Sequence, residues 1–261
     1  MVNCFDLLGA VLVSGFVETG IDSKYLSYGL VDNRDPVART SASLVVAEWV
    51  AFDCSVLDDL TAYGRKAGYT SRRGRWTELD PGISLVHSAG SLDWTLGWSA
   101  ECHPGAMGHR PGDAGEATQF VNASIGVPAF CLEPTLTFER DIQRDHGTYL
   151  NLEIGHDFPL WEEDVTVRPS VGQGWGDCRR VGAYLTDDGG VALRRAGWMD
   201  ATLKFALTWK PLESLECVAF LAVSDYIFDR SFRHAARRYE AAGRSCESTV
   251  LFGGVSVRIT F

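Results

Sequence analysis

No stretch of this 261-residue chain approaches the roughly 20 consecutive apolar residues that a transmembrane helix needs, which excludes a helical membrane protein. A basic excess is also missing. Against 24 Lys and Arg stand 34 Asp and Glu, a formal net charge of −10, the wrong sign for a general binder of nucleic-acid phosphates. The seven cysteines are odd in number and contain no CxxC pair, so they indicate neither a disulfide framework nor a zinc ribbon. Only Cys102, Cys178 and Cys246 lie in loop-like stretches where pairing outside the cell stays open. Helical periodicity is nearly absent, the exception being SFRHAARRYEAAG at 231–243. The apolar run Leu7–Val13 has no Lys or Arg before it and makes a poor secretory signal. It reads either as the tail of a signal whose start lies upstream or as a first strand or plug segment. Residues 1–14 are therefore set apart from one domain over 15–261.

What the chain does contain is alternation. In WMDATLKFALTWKPL (198–212), Met199, Ala201, Leu203, Phe205, Leu207 and Trp209 share one face, while Asp200, Thr202, Lys204, Ala206 and Thr208 share the other. Similar stretches recur at about 16–28, 39–48, 50–57, 76–87, 92–101, 118–127, 131–140, 147–157, 164–173, 214–225 and 249–261, giving about twelve strands. The connections alternate in kind. Short ones fall near Glu48-Trp49, at 88–91, 128–130, 158–163 and 210–213; longer polar ones fall at 29–38, 58–75, 102–117, 141–146, 174–197 and 226–248. Alternation of short and long connections gathers all the long loops at one end of an up-and-down meander, as in outer-membrane barrels. The expected fold is therefore all-β, a closed antiparallel transmembrane β-barrel with one short helix in the last long loop. A soluble sandwich, with the apolar faces as its core, is the alternative.

The last strand ends in Phe261, with Val257 and Ile259 at alternate positions behind it, and looks like the signal that outer-membrane barrels present to their assembly machinery. Together with GIDSKYLSYGLVDNRDP, WTELDPGISLVHSAGSLDWTLGWS, EPTLTFERD and HGTYLNLEIGHDFPL, it resembles a family of bacterial outer-membrane, porin-like β-barrel proteins over roughly residues 15–261. The resemblance implies fold and location, with the long loops extracellular, and little chemistry.

With lipid outside, Trp94, Leu96, Trp98, Leu152, Phe205 and Trp209 belong to the outer band. The opposite faces bring Glu18, Asp22, Asp53, Glu78, Asp80, Asp93, Glu101, Glu133, Glu139, Glu153, Asp200 and Glu216 inward, against Lys24, Arg168, Lys204 and Arg258. So many acids cannot be buried dry. A hydrated lumen accommodates them, and about twelve strands suggest a narrow or partly plugged pore with cation preference. Pairing of these charges into a closed network is the competing expectation. The long connections hold 17 of the 24 Lys and Arg, which suits the phosphates of lipopolysaccharide. Expected partners are thus outer-membrane lipid, lipopolysaccharide and the assembly machinery.

Pro81, Pro134 and Pro169 fall inside expected strands and require bulges or strand ends. Of the six histidines, His103 and His109 could join Cys102 and Asp113 around a metal, but the spacing matches no standard pattern and a surface loop is the better reading. GQGWG (172–176) reads as relief of crowding where a strand enters a long loop. No Ser, His and acid converge on suitable faces, so no catalytic residue, metal or cofactor is assigned. The expected function is a small porin-like channel; the alternative is a closed structural barrel whose Arg-rich loops bind lipopolysaccharide or envelope partners.

Overall fold

Period-two alternation dominates the computed structural model, which describes residues 13–33, 35–60, 76–102, 117–161, 164–186, 190–237, 240–241, 244–245 and 248–261. Twelve antiparallel strands form the wall: β1 (Val13–Asp22), β2 (Val37–Val46), β3 (Val50–Asp59), β4 (Trp76–Ala89), β5 (Leu92–Glu101), β6 (Thr118–Gly126), β7 (Thr135–Asp141), β8 (Thr148–Gly155), β9 (Val165–Gly176), β10 (Gly197–Leu212), β11 (Leu215–Asp225) and β12 (Thr249–Thr260). Each pairs with its neighbours in sequence, and β12 closes the cylinder on β1, with Glu18 opposite Arg258. Gly15 and Phe261 complete the seam by exchanging two backbone hydrogen bonds of 2.9 Å. A closed antiparallel wall leaves no unpaired edge.

The expected helix in the last long loop is α2 (Arg230–Ala236); a second helix, α1 (Cys178–Tyr184), stands in the loop between β9 and β10. Sequence reading missed α1, because RRVGAY is too short to show a helical stripe. Its start is nevertheless marked: Asp177 caps it, accepting from the Arg179 and Arg180 amides at 2.9 and 2.8 Å.

Outward positions carry the apolar residues. Leu96, Leu152, Phe205 and Trp209 are 48–51% exposed, Trp98 is 38% exposed and Trp94 is half-buried. Val257, Ile259 and Phe261 lie on the same outer surface. A continuous belt of bare aliphatic and aromatic side chains around a closed sheet is suited to hydrocarbon rather than water. At the short-turn end, Trp49 stacks on His87 with ring centroids 4.2 Å apart, and His87 meets Trp94 edge-on at 5.8 Å. Amphipathic rings at that level fit the headgroup boundary.

Several expectations are corrected. Met199 does not share the outer face of Phe205. The β9–β10 register slips by one between Gln173 and Trp175, so Trp198 faces out at 54% exposure and Met199 turns inward, fully buried. Glu133 lies in the turn before β7, not on the wall, because β7 begins only after Pro134. The segment 158–161, read as a turn, pairs with Val165–Val167 as a short ribbon along the start of β9, on the edge that β8 pairs further on. Pro134 stands at a strand end as required. Pro169 pairs with Phe205 on one side and lies just past the last β8 pair, Gly155 with Ser170, on the other. Pro81 sits at neither a bulge nor a strand end. The β4–β5 ladder opens beside it and resumes unshifted at the Leu79–Cys102 bridge, so its missing N–H costs one rung and no register. The segment 1–12, and His103, His109 and Asp113, lie outside the described residues, as does Cys246; Cys102 and Cys178 are free.

Substituting Phe205→Arg places a charge in the middle of the outer belt and should destabilise the barrel by about 2–4 kcal/mol. The expected outcome is a lowered temperature for the heat-induced shift in gel mobility of detergent-extracted protein.

Candidate functional site: the lumen and its mouth

The strand register sets the lumen lining. Because Glu18 faces inward, its partners Ser41 and Arg258 do also, and the parity propagates around the wall to Asp53, Glu78, Asp80, Asp93, Glu139, Glu153, Asp200 and Lys204. Lys24 lies past the end of β1 and donates to the Leu251 carbonyl at 3.0 Å. Arg39 and Lys210 were missed. Arg39 sits at the start of an expected strand among Ser and Ala, and Lys210 within an expected turn, so neither stood out.

One side of the lumen is an ion-pair ladder. Arg258 reaches Glu18 at 2.6 Å and Glu216 at 3.8 Å; Arg39 reaches Asp22 at 3.2 Å and Glu18 at 4.0 Å; Lys210 reaches Glu216 at 3.4 Å. Arg258, Arg39 and Lys210 are each answered by acids across adjacent strands. At the short-turn end Arg168 is held by Glu133 at 2.5 Å and Asp157 at 3.1 Å, and His156 lies 3.1 Å from Glu133. The Arg168 hydrogen bond holds the Glu133 carboxyl below the usual carboxylate range.

On the opposite side neutral groups also donate to the acids. Ser55 donates to Asp80 at 2.9 Å, Ser84 to Asp53 at 3.4 Å and Tyr25 to Glu78 at 2.6 Å, all neutral donors. Along β5–β10 a cavity of about 550 Å³ is lined by Glu139, Glu153, Asp200 and Lys204, with hydroxyl and amide side chains such as Ser124, Asn122 and Asn151 between them. Gly172 of GQGWG lines this space. A Cβ at Gly174 would collide with Tyr149 and Asp200, so the small residues make room for larger inward neighbours, as expected.

The mouth at the long-loop end is crossed by a hairpin between β1 and β2, Tyr25–Ser27 paired with Leu30–Asn33. Its two-residue tip, Tyr28-Gly29, has φ of 51° and 76°, the left-handed pair that suits a tight hairpin. Glycine at 29 is required twice over, since a Cβ there would also overlap Asp200. Tyr28 has no such latitude, and this strained conformation is held by its contacts. Its hydroxyl donates to Glu139 at 2.5 Å and accepts from Arg180 at 2.5 Å, while its carbonyl accepts from Tyr226. Burial and the Glu139 carboxylate push the Tyr28 phenol far above its usual range, so it stays a donor.

Arg180 of α1 is the centre of this plug. Its side chain is fully buried, 3.3 Å from both Glu139 and Asp145, with its guanidinium 4.6 Å from the Tyr28 ring and 5.9 Å from that of Tyr184. Leu30, Val181, Leu185, Met199, Tyr226 and Phe232 pack around it, with Ala235 and Ala236, as a small core. Among the described residues the larger buried apolar cluster thus lies at the mouth, where three loops meet. The sequence concealed this, because its residues are scattered one or two per loop.

The fold is that of porin-type outer-membrane barrels. Among solved structures, the chain is similar to the KdgM porin at TM-score 0.52 and 11% identity, covering 95% of this chain and 99% of that one. The NanC porin is similar at TM-score 0.54 and 9% identity, covering 94% and 98% respectively. No protein-family model and no curated protein matches the sequence. At such identities the likeness is one of fold.

Replacing Arg180 by Ala leaves Glu139 and Asp145 without their buried cation, at a cost of about 3 kcal/mol to the plug. The wall should stay closed while the hairpin around Tyr28 becomes cleavable. Limited proteolysis of folded barrels checks this; equal resistance in the variant contradicts the latch.

Proposed function

We propose that this protein is a non-enzymatic channel of the outer membrane, passing ions or small polar solutes with preference for cations. The observation that carries the reading is a charged, polar lumen enclosed by an apolar exterior. A soluble sandwich would bury the apolar face and wet the polar one, the inverse of what stands here. Cation preference is supported by Glu153 and Asp200, inward acids with no ion-pair partner among the described residues. The KdgM porin has also been solved with disordered oligogalacturonate, a polyanion; the acidic lining here suits solutes of the opposite charge.

In this reading the long loops face the exterior. Arg144, Arg179, Arg194 and Arg230 are exposed at that end and are suited to lipopolysaccharide phosphates. Val257, Ile259 and Phe261 form the strand offered to the barrel assembly machinery. A second reading, a closed structural barrel, is favoured by the hairpin across the mouth and the fully buried Arg180.

Planar-bilayer recording separates the two. Stable steps whose reversal potential under a salt gradient moves toward that of the cation support the channel; silence from heat-modifiable, folded protein supports the closed barrel. Asp200→Asn keeps an acceptor for the Tyr149 hydroxyl, now at 2.8 Å, while removing a lumen charge. It should leave the mobility shift intact and reduce cation selectivity.

A further inference from the structure

The cavity beneath the hairpin tip differs in character from the paired ladder across the lumen. Glu139 is already matched by Arg180 and Tyr28. Asp200, 8% exposed, accepts from the Tyr149 hydroxyl, and neither it nor Glu153 has an ion-pair partner among the described residues. Lys204, the cavity's one lining cation among those residues, rests 4.9 Å from the Phe220 ring. The remaining polar lining is neutral: Thr95, Asn122, Ser124, Thr137, Asn151 and Thr202 supply hydroxyls and amides that both donate and accept. Tyr28 and Tyr149, edge to face at 4.8 Å, close it at the mouth end with aromatic surface.

We infer that this cavity is a solute-binding site for a small hydroxylated amine of the amino-sugar class, its ammonium between Glu153 and Asp200 and its hydroxyls on the neutral row. Three features select that class together. Two acids without a protein cation demand a positive group, since desolvated carboxylates are costly alone. A row of neutral donors and acceptors would be wasted on a bare metal ion or a simple alkylamine, but matches several hydroxyls spaced around a ring. The tyrosine faces offer apolar surface to the C–H side of such a ring. A volume of about 550 Å³ is within the range of small-ligand sites and admits one or two sugar units. Anionic sugars are rejected by the same carboxylates.

The inference rests on the channel reading for its biological use, but binding itself does not require conduction. The test is titration calorimetry on folded barrels in detergent with glucosamine, N-acetylglucosamine, glucose and glucuronate, followed by recording of the same ligands against single-channel current. Saturable glucosamine binding at least tenfold tighter than that of the other three, weakened tenfold by Glu153→Gln, is the expected result. N-Acetylglucosamine keeps the ring hydroxyls and removes the charge, so it tests the ammonium site on the unmodified protein even if the variant does not fold. Equal binding of glucosamine and its N-acetyl form, or preference for glucuronate, overturns the site. Barrels that conduct yet ignore glucosamine overturn the site and leave the channel standing; barrels that bind it and carry no current support the site and overturn the channel.

Discussion

Within hydrocarbon every backbone N–H and C=O must find its partner inside the protein, and the rest of this structure depends on that requirement. Twelve strands meet it only because β12 returns to β1, and the seam is secured to its last residue by the paired Gly15 and Phe261 amides. Once closure is fixed, period-two alternation leaves no freedom. If Phe205 faces lipid, Lys204 and Ala206 face the lumen, and antiparallel pairing carries the same parity to each neighbour in turn. The wall then separates two solvents, and side-chain chemistry on each face follows from the solvent it meets.

A wall of this kind has no conventional core, and among the described residues the larger of two buried apolar clusters lies at the mouth. There the local energetics reverse. Arg180, which would be ordinary on an exposed loop, is sealed among tyrosines and carboxylates, and each of those partners comes from a different element: Tyr28 from the hairpin, Glu139 from β7, Asp145 from the β7–β8 loop. Removing any one would strand the others, so the cluster acts as a unit. Lower in the lumen the charges divide, with Arg258, Arg39 and Lys210 neutralised by cross-strand acids on one wall, and Glu153 and Asp200 without an ion-pair partner among the described residues on the other.

The wall was legible in the sequence and the plug was not, for a physical reason. A strand between two solvents writes its environment into every second residue, so Leu203, Phe205 and Leu207 announce an outer face unaided. Phe261 and the alternation of short and long connections then set the architecture. The plug has no period. Leu30, Val181, Met199 and Phe232 are adjacent only after the barrel has closed, and α1 is too short to carry a stripe. Met199 was misplaced because a bulge resets parity without leaving a mark in composition, and Arg39 was overlooked because small residues surround it. Pro81 looked like an objection to the strand; the wall absorbs it as a single missing rung.

The bonds that fix the Tyr28 tip span 111, 152 and 198 residues of chain. Contacts so distant require β7, α1 and Tyr226 to be brought together, as they are in the closed cylinder. The tip spans from the first loop to the far side of the cylinder. In that position it is a crossbar, tying together staves that otherwise touch only their immediate neighbours and holding the cross-section against flattening by lateral pressure from the bilayer.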